Sequence, residues 1–319
     1  MKDTCLYIVV PVYKDADVIK ITCPLFLGQL FKMRDEGLIC DTSRILFVDD
    51  GSGDDSWDTI KELCDKDHHV KGICLSRNRG HQNAVTAGLM EAMEHCDVTI
   101  TIDDDGQDDI GAMSEMIKQY DNGCDIVYGV RQNRDTDTFM KRFTAQSYYK
   151  MLNMLGADVI YNHADYRLVS SRALREFANF KEVNLFLRGL FPMVGFKSTC
   201  VYYDRHERMA GKGHYSLSKM LTLAFDGVTS LSVKPIKMIT WFGFFVAVIS
   251  FILLVYSIIV HFTSSTPHGW ASTACIICFL SGMQMISLGV IGEYIGKIYL
   301  ETKQRPRYII SDRYEGDQE

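Results

Sequence analysis

The sequence lacks the glycine-rich phosphate loops of the common nucleotide-binding families. It contains no GxxxxGK[ST] motif, and no GxGxxG motif follows its first apolar run. A P-loop NTPase and a dinucleotide-dependent dehydrogenase are therefore disfavoured. An excess of basic residues is also missing, because 34 lysines and arginines stand against 40 aspartates and glutamates. A protein that binds duplex nucleic acid normally carries net positive charge, so we expect no nucleic-acid partner.

Cysteine pairs with the spacing of a zinc site are missing from most of the chain. The first eight of the ten cysteines show no such pairs, and Cys275 and Cys278 lie inside an apolar segment where packing is their expected role. The N-terminus also lacks a basic region followed by a long apolar stretch. We therefore expect reduced thiols, a cytosolic main domain and no cleaved signal peptide.

Two long apolar segments stand near the C-terminus. Met238–Phe262 contains no lysine, arginine, aspartate or glutamate, and as a helix it would extend roughly 37 Å, more than the roughly 30 Å of a bilayer core. Ala271–Ile295 is a second candidate and includes Gln284. Basic residues flank the pair on its outer sides and are absent from the loop between them. The sequence thus predicts two transmembrane helices with both outer ends in the cytoplasm.

The region before these segments alternates between short apolar runs and helical patterns. Predicted strands are Leu6–Val12, Arg44–Val48, Val70–Leu75, Val98–Ile102 and Ile126–Tyr128, separated by predicted helices over 16–34, 56–66, 82–95 and 110–120. This order predicts an α/β fold with a mostly parallel sheet and flanking helices. Polar clusters follow four of the strands, at the edge where such sheets bind ligands.

The acidic stretch Asp103–Asp109 follows one of these strands directly. Five of its seven residues are aspartates, and carboxylates held this close repel one another unless something positive binds. A divalent cation with oxygen ligands meets that need and also neutralises a departing diphosphate. The stretch is not an EF-hand, because Asp108 and Ser114 stand where that loop needs glycine and glutamate.

Four motifs in order carry a resemblance to a known family. They are Val10-Pro11-Val12-Tyr13, Val48-Asp49-Asp50-Gly51-Ser52, Ser76-Arg77-Asn78-Arg79-Gly80-His81 and Asp103-Asp104-Asp105-Gly106-Gln107-Asp108. Together they resemble the GT-A glycosyltransferases of family 2, and more narrowly the polyprenyl-phosphate glycosyltransferases. The segment Ala164-Asp165-Tyr166-Arg167-Leu168 and the two apolar segments favour the bacterial membrane-bound branch. The resemblance extends to about residue 300 of the chain.

The resemblance implies a role for several residues at the donor site. The nucleotide base and ribose would be held by Pro11, Tyr13, Asp15, Asp49 and Asp50, although Asp15 stands where the family usually has glutamate. Mg²⁺ or Mn²⁺ would be held by Asp103 and Asp105, with Asp104, Gln107 and Arg131 near the donor phosphates.

Asp165 and Arg167 match the family segment that contains the catalytic carboxylate, with Tyr166 in place of phenylalanine. The resemblance assigns catalysis to Asp165, Arg167 and Asp105. The acceptor in this family is a phosphate monoester with a second pKa of about 6, so it scarcely needs a base to deprotonate it. Orienting the sugar, or stabilising positive charge at its anomeric carbon, is an alternative role for Asp165.

A cationic segment further along would bind phosphates of the acceptor or diphosphate. It contains Arg205, Arg208, Lys212 and His214. The family's Gly-x-Ser-Lys reads Gly211-Lys212-Gly213-His214 here, so either Lys212 replaces the family lysine or His214 binds phosphate with pH-dependent strength.

The resemblance implies a membrane-bound, metal-dependent, inverting transferase that moves a sugar to undecaprenyl or another polyprenyl phosphate at the cytoplasmic face. UDP-glucose is the expected donor, UDP-GlcNAc or another nucleotide sugar is an alternative, and the oligomeric state is left open. A processive polysaccharide synthase is disfavoured because no QxxRW motif occurs, whereas a catalytically silent nucleotide-binding scaffold remains an alternative. The expected domains are 1–215 (catalytic), 216–235 (interfacial helix), 236–298 (transmembrane hairpin) and 299–319 (cytoplasmic tail).

Overall fold

The computed structural model describes residues 4–132, 163–182, 185–205, 234–263 and 270–316. Its strands are β1 (Leu6–Val12), β2 (Arg44–Asp49), β3 (Val70–Leu75), β4 (Val98–Thr101), β5 (Ile126–Arg131), β6 (His163–Ser170), β7 (Ser198–Tyr203) and β8 (Ile310–Tyr314). Its helices are α1 (Ala16–Asp35), α2 (Ser56–Lys66), α3 (His81–Ala92), α4 (Ala112–Asp121), α5 (Ser171–Phe177), α6 (Leu187–Met193), α7 (Lys234–Thr263) and α8 (Trp270–Thr302).

The described strands form one eight-stranded sheet in the order β7-β5-β6-β4-β1-β2-β3-β8. Strands β1 to β5 and β7 run in one direction, while β6 and β8 run antiparallel to their neighbours. The predicted GT-A type α/β fold with a mostly parallel sheet is confirmed. The carboxyl ends of the parallel strands therefore lie at one edge, where ligands bind in sheets of this kind.

Each face of the sheet carries its own apolar core. In β1 the alternate residues Leu6, Ile8, Val10 and Val12 pack with α1, α2 and α4, whereas Tyr7 and Val9 pack with α3, α5 and α6. The period of two along a strand places successive side chains on opposite faces. Both faces are covered, so β1 reads in the sequence as an unbroken apolar run rather than as an alternating one.

The predicted tail 299–319 contributes a strand to the sheet. Strand β8 pairs antiparallel with β3 and occupies the sheet edge. Side chains reinforce the pairing, because Arg313 binds both carboxylate oxygens of Glu91 at 2.6 and 3.0 Å, and Lys71 binds Glu315 at 2.8 Å. The sequence did not indicate this strand, because Ser311, Asp312 and Arg313 leave it without an apolar pattern.

The two long helices α7 and α8 follow the sheet-forming domain and contact each other. They carry exposed large apolar side chains, among them Trp241, Phe244, Phe251, Ile286 and Leu288. Within the part of the chain that the structure describes, no helix combines the length and apolar composition needed to cross a membrane. The prediction of two transmembrane helices is therefore not confirmed by the structure. The predicted interfacial helix 216–235 lies almost wholly outside the described residues.

Candidate active site

Two of the sequence motifs meet at the carboxyl edge through Asp50. This side chain is 3% exposed, and its carboxylate accepts hydrogen bonds from the backbone N–H groups of Arg79 at 2.7 Å and Gly80 at 2.8 Å. Burial raises the pKa of Asp50, while these two bonds act in the opposite direction. Asp50 therefore joins the loop after β2 to the loop before α3.

Gly51 allows the same two loops to approach closely. Its φ is +61°, and a Cβ added there would lie 2.4 Å from the carbonyl carbon of Arg77. A side chain at this position would therefore meet backbone atoms that cannot move aside easily. The glycine in the Val-Asp-Asp-Gly-Ser motif is required both by its positive φ and by this contact.

Asp49 lies deeper than a ligand-binding role suggests. It is 1% exposed, and its carboxylate accepts hydrogen bonds from the Ser52 hydroxyl and from the Cys74 thiol, the latter at 3.2 Å. The backbone N–H of Ser52 also points at this carboxylate. In this arrangement Asp49 shapes the loop from inside. Tyr13, which directly follows β1, is 43% exposed.

The predicted residues Pro11 and Asp15 are positioned by the backbone of β1 and α1. Pro11 lies within β1 and is buried. The carbonyl oxygen of Asp15 accepts the first N–H groups of α1, from Val18 at 3.0 Å and Ile19 at 3.1 Å. The N–H of Lys14 donates to the Ser52 hydroxyl at 3.0 Å, which brings this segment against the loop after β2.

The acidic loop after β4 is held by contacts from β5 and β7. Asp108 is 4% exposed and accepts hydrogen bonds from the Tyr203 hydroxyl at 2.7 Å and from Arg131 Nη2 at 3.3 Å. Gln107 accepts a hydrogen bond from Arg205. Arg131 and Arg205, both predicted from the sequence, therefore contact the acidic loop itself.

Two further aspartates of this loop, Asp103 and Asp104, interact unfavourably when both are ionised. Burial and the charge of Asp15 and Asp103 raise the pKa of Asp104 well above its usual range. Burial also raises the pKa of Asp103, with Asp108 and Asp165 adding to the effect and His81 opposing it. Oδ2 of Asp104 is buried without a hydrogen-bond partner among the described residues. These oxygens fit a hard divalent cation, which prefers oxygen ligands and would relieve the repulsion.

Asp165 is surrounded by three cationic or ionisable side chains. Arg167 Nη2 lies 2.5 Å from Oδ1, Arg188 donates from Nε at 3.3 Å and from Nη2 at 2.9 Å, and His81 Nε2 lies 3.7 Å from Oδ2. Burial would raise the pKa of Asp165, but Arg188 and Arg167 outweigh it and hold this pKa well below its usual range. The two guanidinium groups therefore favour the ionised form of this carboxylate.

His81 connects this group to the acidic loop. Its Nε2 atom lies 3.8 Å from Oδ1 of Asp103 and 3.7 Å from Oδ2 of Asp165. Asp103 lies in the loop that follows β4 and Asp165 lies in β6, and these two strands pair antiparallel. His81 therefore lies between Asp103, a predicted metal ligand, and Asp165, a predicted catalytic residue.

Sequence reasoning missed three residues of the site. His81 belongs to the Ser76–His81 motif, which supported the family resemblance but was given no role in the site. Membership of that motif was the signal that could have identified it. Tyr203 and Arg188 had no motif of their own, and only pairing of β7 with β5 and the placement of α6 bring them here. Of the predicted cationic segment, Arg208, Lys212 and His214 lie outside the described residues.

A second group of ligand-type side chains lies elsewhere. Asp67, His68 and His69 bring one ligand atom each within 4.8 Å of one another. They immediately precede β3, whereas the acidic loop is at the carboxyl edge, and a six-residue strand spans about 20 Å. This group is therefore not part of the candidate active site.

The chain is similar to known proteins over nearly its whole length. Residues 7–178 match the model of glycosyl transferase family 2, and residues 234–298 match the GtrB C-terminal hairpin. An uncharacterized glycosyltransferase of Bacillus subtilis, YkoT, is 46% identical over 96% of this chain and 90% of its own length. The bactoprenol glucosyl transferase of Shigella phage SfX is 37% identical over 96% of this chain and 98% of its own.

Among solved structures, glucosyl-3-phosphoglycerate synthase from Mycobacterium tuberculosis matches with a TM-score of 0.47 and 12% identity, covering 72% of this chain and 79% of that one. The family match includes every described strand from β1 to β6, together with the acidic loop and Asp165. The protein is a glycosyltransferase and belongs to glycosyl transferase family 2.

Proposed function

We propose that this enzyme transfers glucose from UDP-glucose to a polyprenyl phosphate at the cytoplasmic face of the membrane, with inversion at the anomeric carbon. The observation that carries the proposal is the pairing of the acidic loop with Asp165 across His81 at the carboxyl edge. The choice of glucose and of a lipid acceptor is supported by relatives named bactoprenol glucosyl transferase, which align over nearly their whole length.

A divalent cation, Mg²⁺ or Mn²⁺, would be held by Asp103 and Asp105, with Asp104 beside them. When bound, it neutralises the charge that develops on the departing diphosphate. The protein contributes the placement of these carboxylates. Asp105 is fixed within the loop by the N–H of Gln107, which donates to its Oδ1 at 3.1 Å. Asp108, held by Tyr203 and Arg131, anchors the other end of the loop.

Asp165 acts as a fixed negative charge rather than as a general base. A carboxylate paired with Arg167 and Arg188 is a poor proton acceptor, because protonating it would leave two guanidinium groups without their counter-charge. The acceptor phosphate is itself largely ionised at neutral pH, since its second pKa is about 6. The lipid phosphate oxygen can thus attack without losing a proton to the protein. In this proposal Asp165 orients the sugar and stabilises positive charge at its anomeric carbon.

Chain topology supports a position of the active site close to the membrane. Strand β7 ends at the carboxyl edge, and β8, which runs antiparallel to β3, begins there, next to Ser76. Both connections to the helices α7 and α8 therefore leave the sheet from the edge that carries the site. The match to a C-terminal hairpin family and the exposed apolar side chains of these helices support membrane attachment through the hairpin.

The test is a transfer assay with the purified full-length protein in detergent. Polyprenyl phosphate and Mn²⁺ are mixed with labelled UDP-glucose or UDP-GlcNAc in parallel reactions, and label in the lipid phase is counted. We expect transfer from UDP-glucose that stops with EDTA and falls at least 100-fold in Asp103→Asn and Asp105→Asn. Asp58→Asn, a change at an exposed carboxylate on α2, is the matched control.

Each other result has a defined meaning. Label that enters lipid only from UDP-GlcNAc would overturn the choice of sugar. Full activity in Asp105→Asn would overturn the assignment of the acidic loop. Absence of lipid label with either donor, despite metal-dependent UDP binding, would overturn the proposed acceptor. Membrane attachment is tested separately, by fractionation of cells that produce the full chain, and recovery of the protein in the soluble fraction would contradict it.

A further inference from the structure

The turn between α2 and β3 carries two adjacent histidines that the proposed transfer reaction does not use. Asp67, His68 and His69 bring one ligand atom each within 4.8 Å of one another. They line a cavity of about 960 Å³ at the amino end of β3. We propose that these three side chains bind a transition-metal ion such as Zn²⁺, at a site separate from the acidic loop. The inference does not depend on the proposed transfer reaction.

The backbone fixes the turn before any ion binds. The N–H of Val70 donates to the carbonyl oxygen of Asp67 at 2.9 Å and closes the turn. The carbonyl oxygen of His69 accepts the N–H of Ile45 at 2.8 Å, which attaches the turn to the start of β2. The rings of His68 and His69 lie side by side, with their centroids 3.9 Å apart. An ion that binds here would therefore have to order little of the chain.

His69 is the buried member of the group. It is 6% exposed, and its ring meets that of Phe31 edge-on at 5.0 Å. Its Nδ1 atom lies 2.8 Å from Oδ1 of Asp67, whereas Nε2 is buried without a partner among the described residues. Nε2 is thus unsatisfied in either tautomer of the neutral ring, so moving the proton from Nδ1 to Nε2 leaves no additional group unsatisfied there. A metal ion can then take the place of the proton between Nδ1 and Oδ1.

The other two side chains are accessible to an incoming ion. His68 is exposed, and within the described part of the chain its side chain makes only the ring contact with His69. The hydrogen bonds to the carboxylate of Asp67 come from His69 alone, and both end on Oδ1. Bonds of about 2.0–2.2 Å to a central ion place its ligand atoms at most roughly 4.4 Å apart. A small rotation of the exposed His68 ring therefore completes the site.

Several basic side chains also line the cavity, but they interact with groups other than Asp67. Lys71 binds Glu315 at 2.8 Å, and Arg34 binds Asp41 at 3.2 Å. Arg44 donates to the carbonyl oxygen of Asp41 at 2.9 Å. The negative charge of Asp67 therefore remains available to an ion.

The ligand types select a different ion from the one expected at the acidic loop. Two imidazole nitrogens and one carboxylate oxygen are typical ligands of Zn²⁺, and three protein ligands leave room for water. The aspartates of the acidic loop offer oxygen ligands, which suit Mg²⁺ and Mn²⁺. The two sites should therefore bind their ions independently.

The experiment measures Zn²⁺ binding by calorimetry to the full-length protein without a histidine tag. Excess Mn²⁺ is present throughout, so that sites with oxygen ligands are filled. His68→Ala and Asp67→Asn are compared with the wild type. His95→Ala is the matched control, because His95 lines the same cavity but does not belong to the ligand group. The absorption spectrum of bound Co²⁺ distinguishes nitrogen and oxygen ligands from cysteine thiolates.

We expect the wild type to bind Zn²⁺ in the presence of Mn²⁺, and its Co²⁺ spectrum to lack the bands of thiolate ligands. His68→Ala and Asp67→Asn should each weaken Zn²⁺ binding at least about 10-fold, because loss of even an outer-sphere partner costs that much. His95→Ala should bind as the wild type does. His68→Ala should keep the unfolding midpoint of the metal-free protein, since this side chain is exposed.

Three results would overturn the inference. Absence of Zn²⁺ binding to the wild type, or equal binding by His68→Ala and Asp67→Asn, would show that this turn holds no ion. A loss in His95→Ala as large as in His68→Ala would indicate loose association with the cavity rather than a defined ligand set. Thiolate bands in the Co²⁺ spectrum would assign the bound ion to cysteines elsewhere in the chain.

Discussion

The hydroxyl of Tyr203 donates a hydrogen bond of 2.7 Å to Oδ1 of Asp108, and this bond attaches the last residue of β7 to the acidic loop. Both groups are buried, at 3% and 4% exposure. The bond connects residues 95 positions apart in the chain. The acidic loop is therefore positioned by a strand that lies far from it in sequence. In the sheet, β7 is one edge strand and β8 is the other.

Tyr203→Phe should loosen the acidic loop without changing its charge. Removal of the hydroxyl leaves Asp108 with Arg131 as a donor at 3.3 Å, and loss of a buried hydrogen bond to a charged group costs about 1–3 kcal/mol of stability. We expect a lower free energy of unfolding, measured by denaturant titration. We also expect weaker Mn²⁺ binding, measured from the transfer rate at varied Mn²⁺ concentration. The neighbouring Tyr202, exposed by 62%, provides the control Tyr202→Phe, and equal effects of the two changes would contradict the assignment.

Gly51→Ala and Gly53→Ala distinguish the strain of a positive φ from a steric clash with backbone in the loop after β2. Both glycines have positive φ, at +61° and +66°, but among the described atoms only a Cβ on Gly51 meets backbone, 2.4 Å from Arg77. A non-glycine residue in this region costs about 1–2 kcal/mol by itself. We expect Gly53→Ala to lower the free energy of unfolding by about that amount. Gly51→Ala should cost clearly more and also weaken UDP binding. If both variants lost the same free energy of unfolding, the contact between Gly51 and the backbone of Arg77 would contribute nothing to the effect.

We expect the pH dependence of the transfer rate to follow the protonation of the acceptor phosphate rather than that of Asp165. Arg188 and Arg167 hold the pKa of Asp165 below its usual range despite its burial, so this carboxylate stays ionised as the pH falls from 9 to about 5. The rate should decline as the pH falls through about 6, where the lipid phosphate gains a proton. Asp165→Asn should lower kcat and leave the position of this decline unchanged. A decline that disappears in Asp165→Asn would identify the carboxylate as the titrating base.

We expect the backbone pairing of β8 to contribute more to the stability of the protein than the ion pairs of its side chains. Arg313 is 57% exposed where it binds Glu91, and exposed pairs of this kind contribute about 0–1 kcal/mol. Arg313→Ala should therefore shift the unfolding midpoint only slightly. Deletion of residues 310–319 removes the pairing of β8 with β3 and leaves that strand as an open edge. We expect the deletion to lower the midpoint by several degrees and to promote aggregation in light scattering, and a deletion as mild as Arg313→Ala would refute this.

Local patterns in the sequence account for much of the fold. The apolar runs of β1 to β5 and the helices between them were predicted with boundaries close to those observed. A buried parallel strand has an unbroken apolar run, and this signal is strong in a single sequence. Strand β6 was read as part of a motif, and β7 and β8 were missed. Exposed Tyr202 in β7 and charged Asp312 and Arg313 in β8 obscure the pattern, because edge strands have one side open to solvent.

The sequence by itself determined the chemistry that is present: the carboxylates of the acidic loop, the strand ends that carry polar residues, and the motifs that identify the family. Only the tertiary structure decided how these groups are used. Asp49 lies inside its loop, Asp165 is paired with two arginines, and His81 stands between Asp165 and Asp103. Motifs record residue types along the chain. Burial and ion pairing arise between strands and helices distant in sequence, and these contacts set the protonation state and exposure of each side chain.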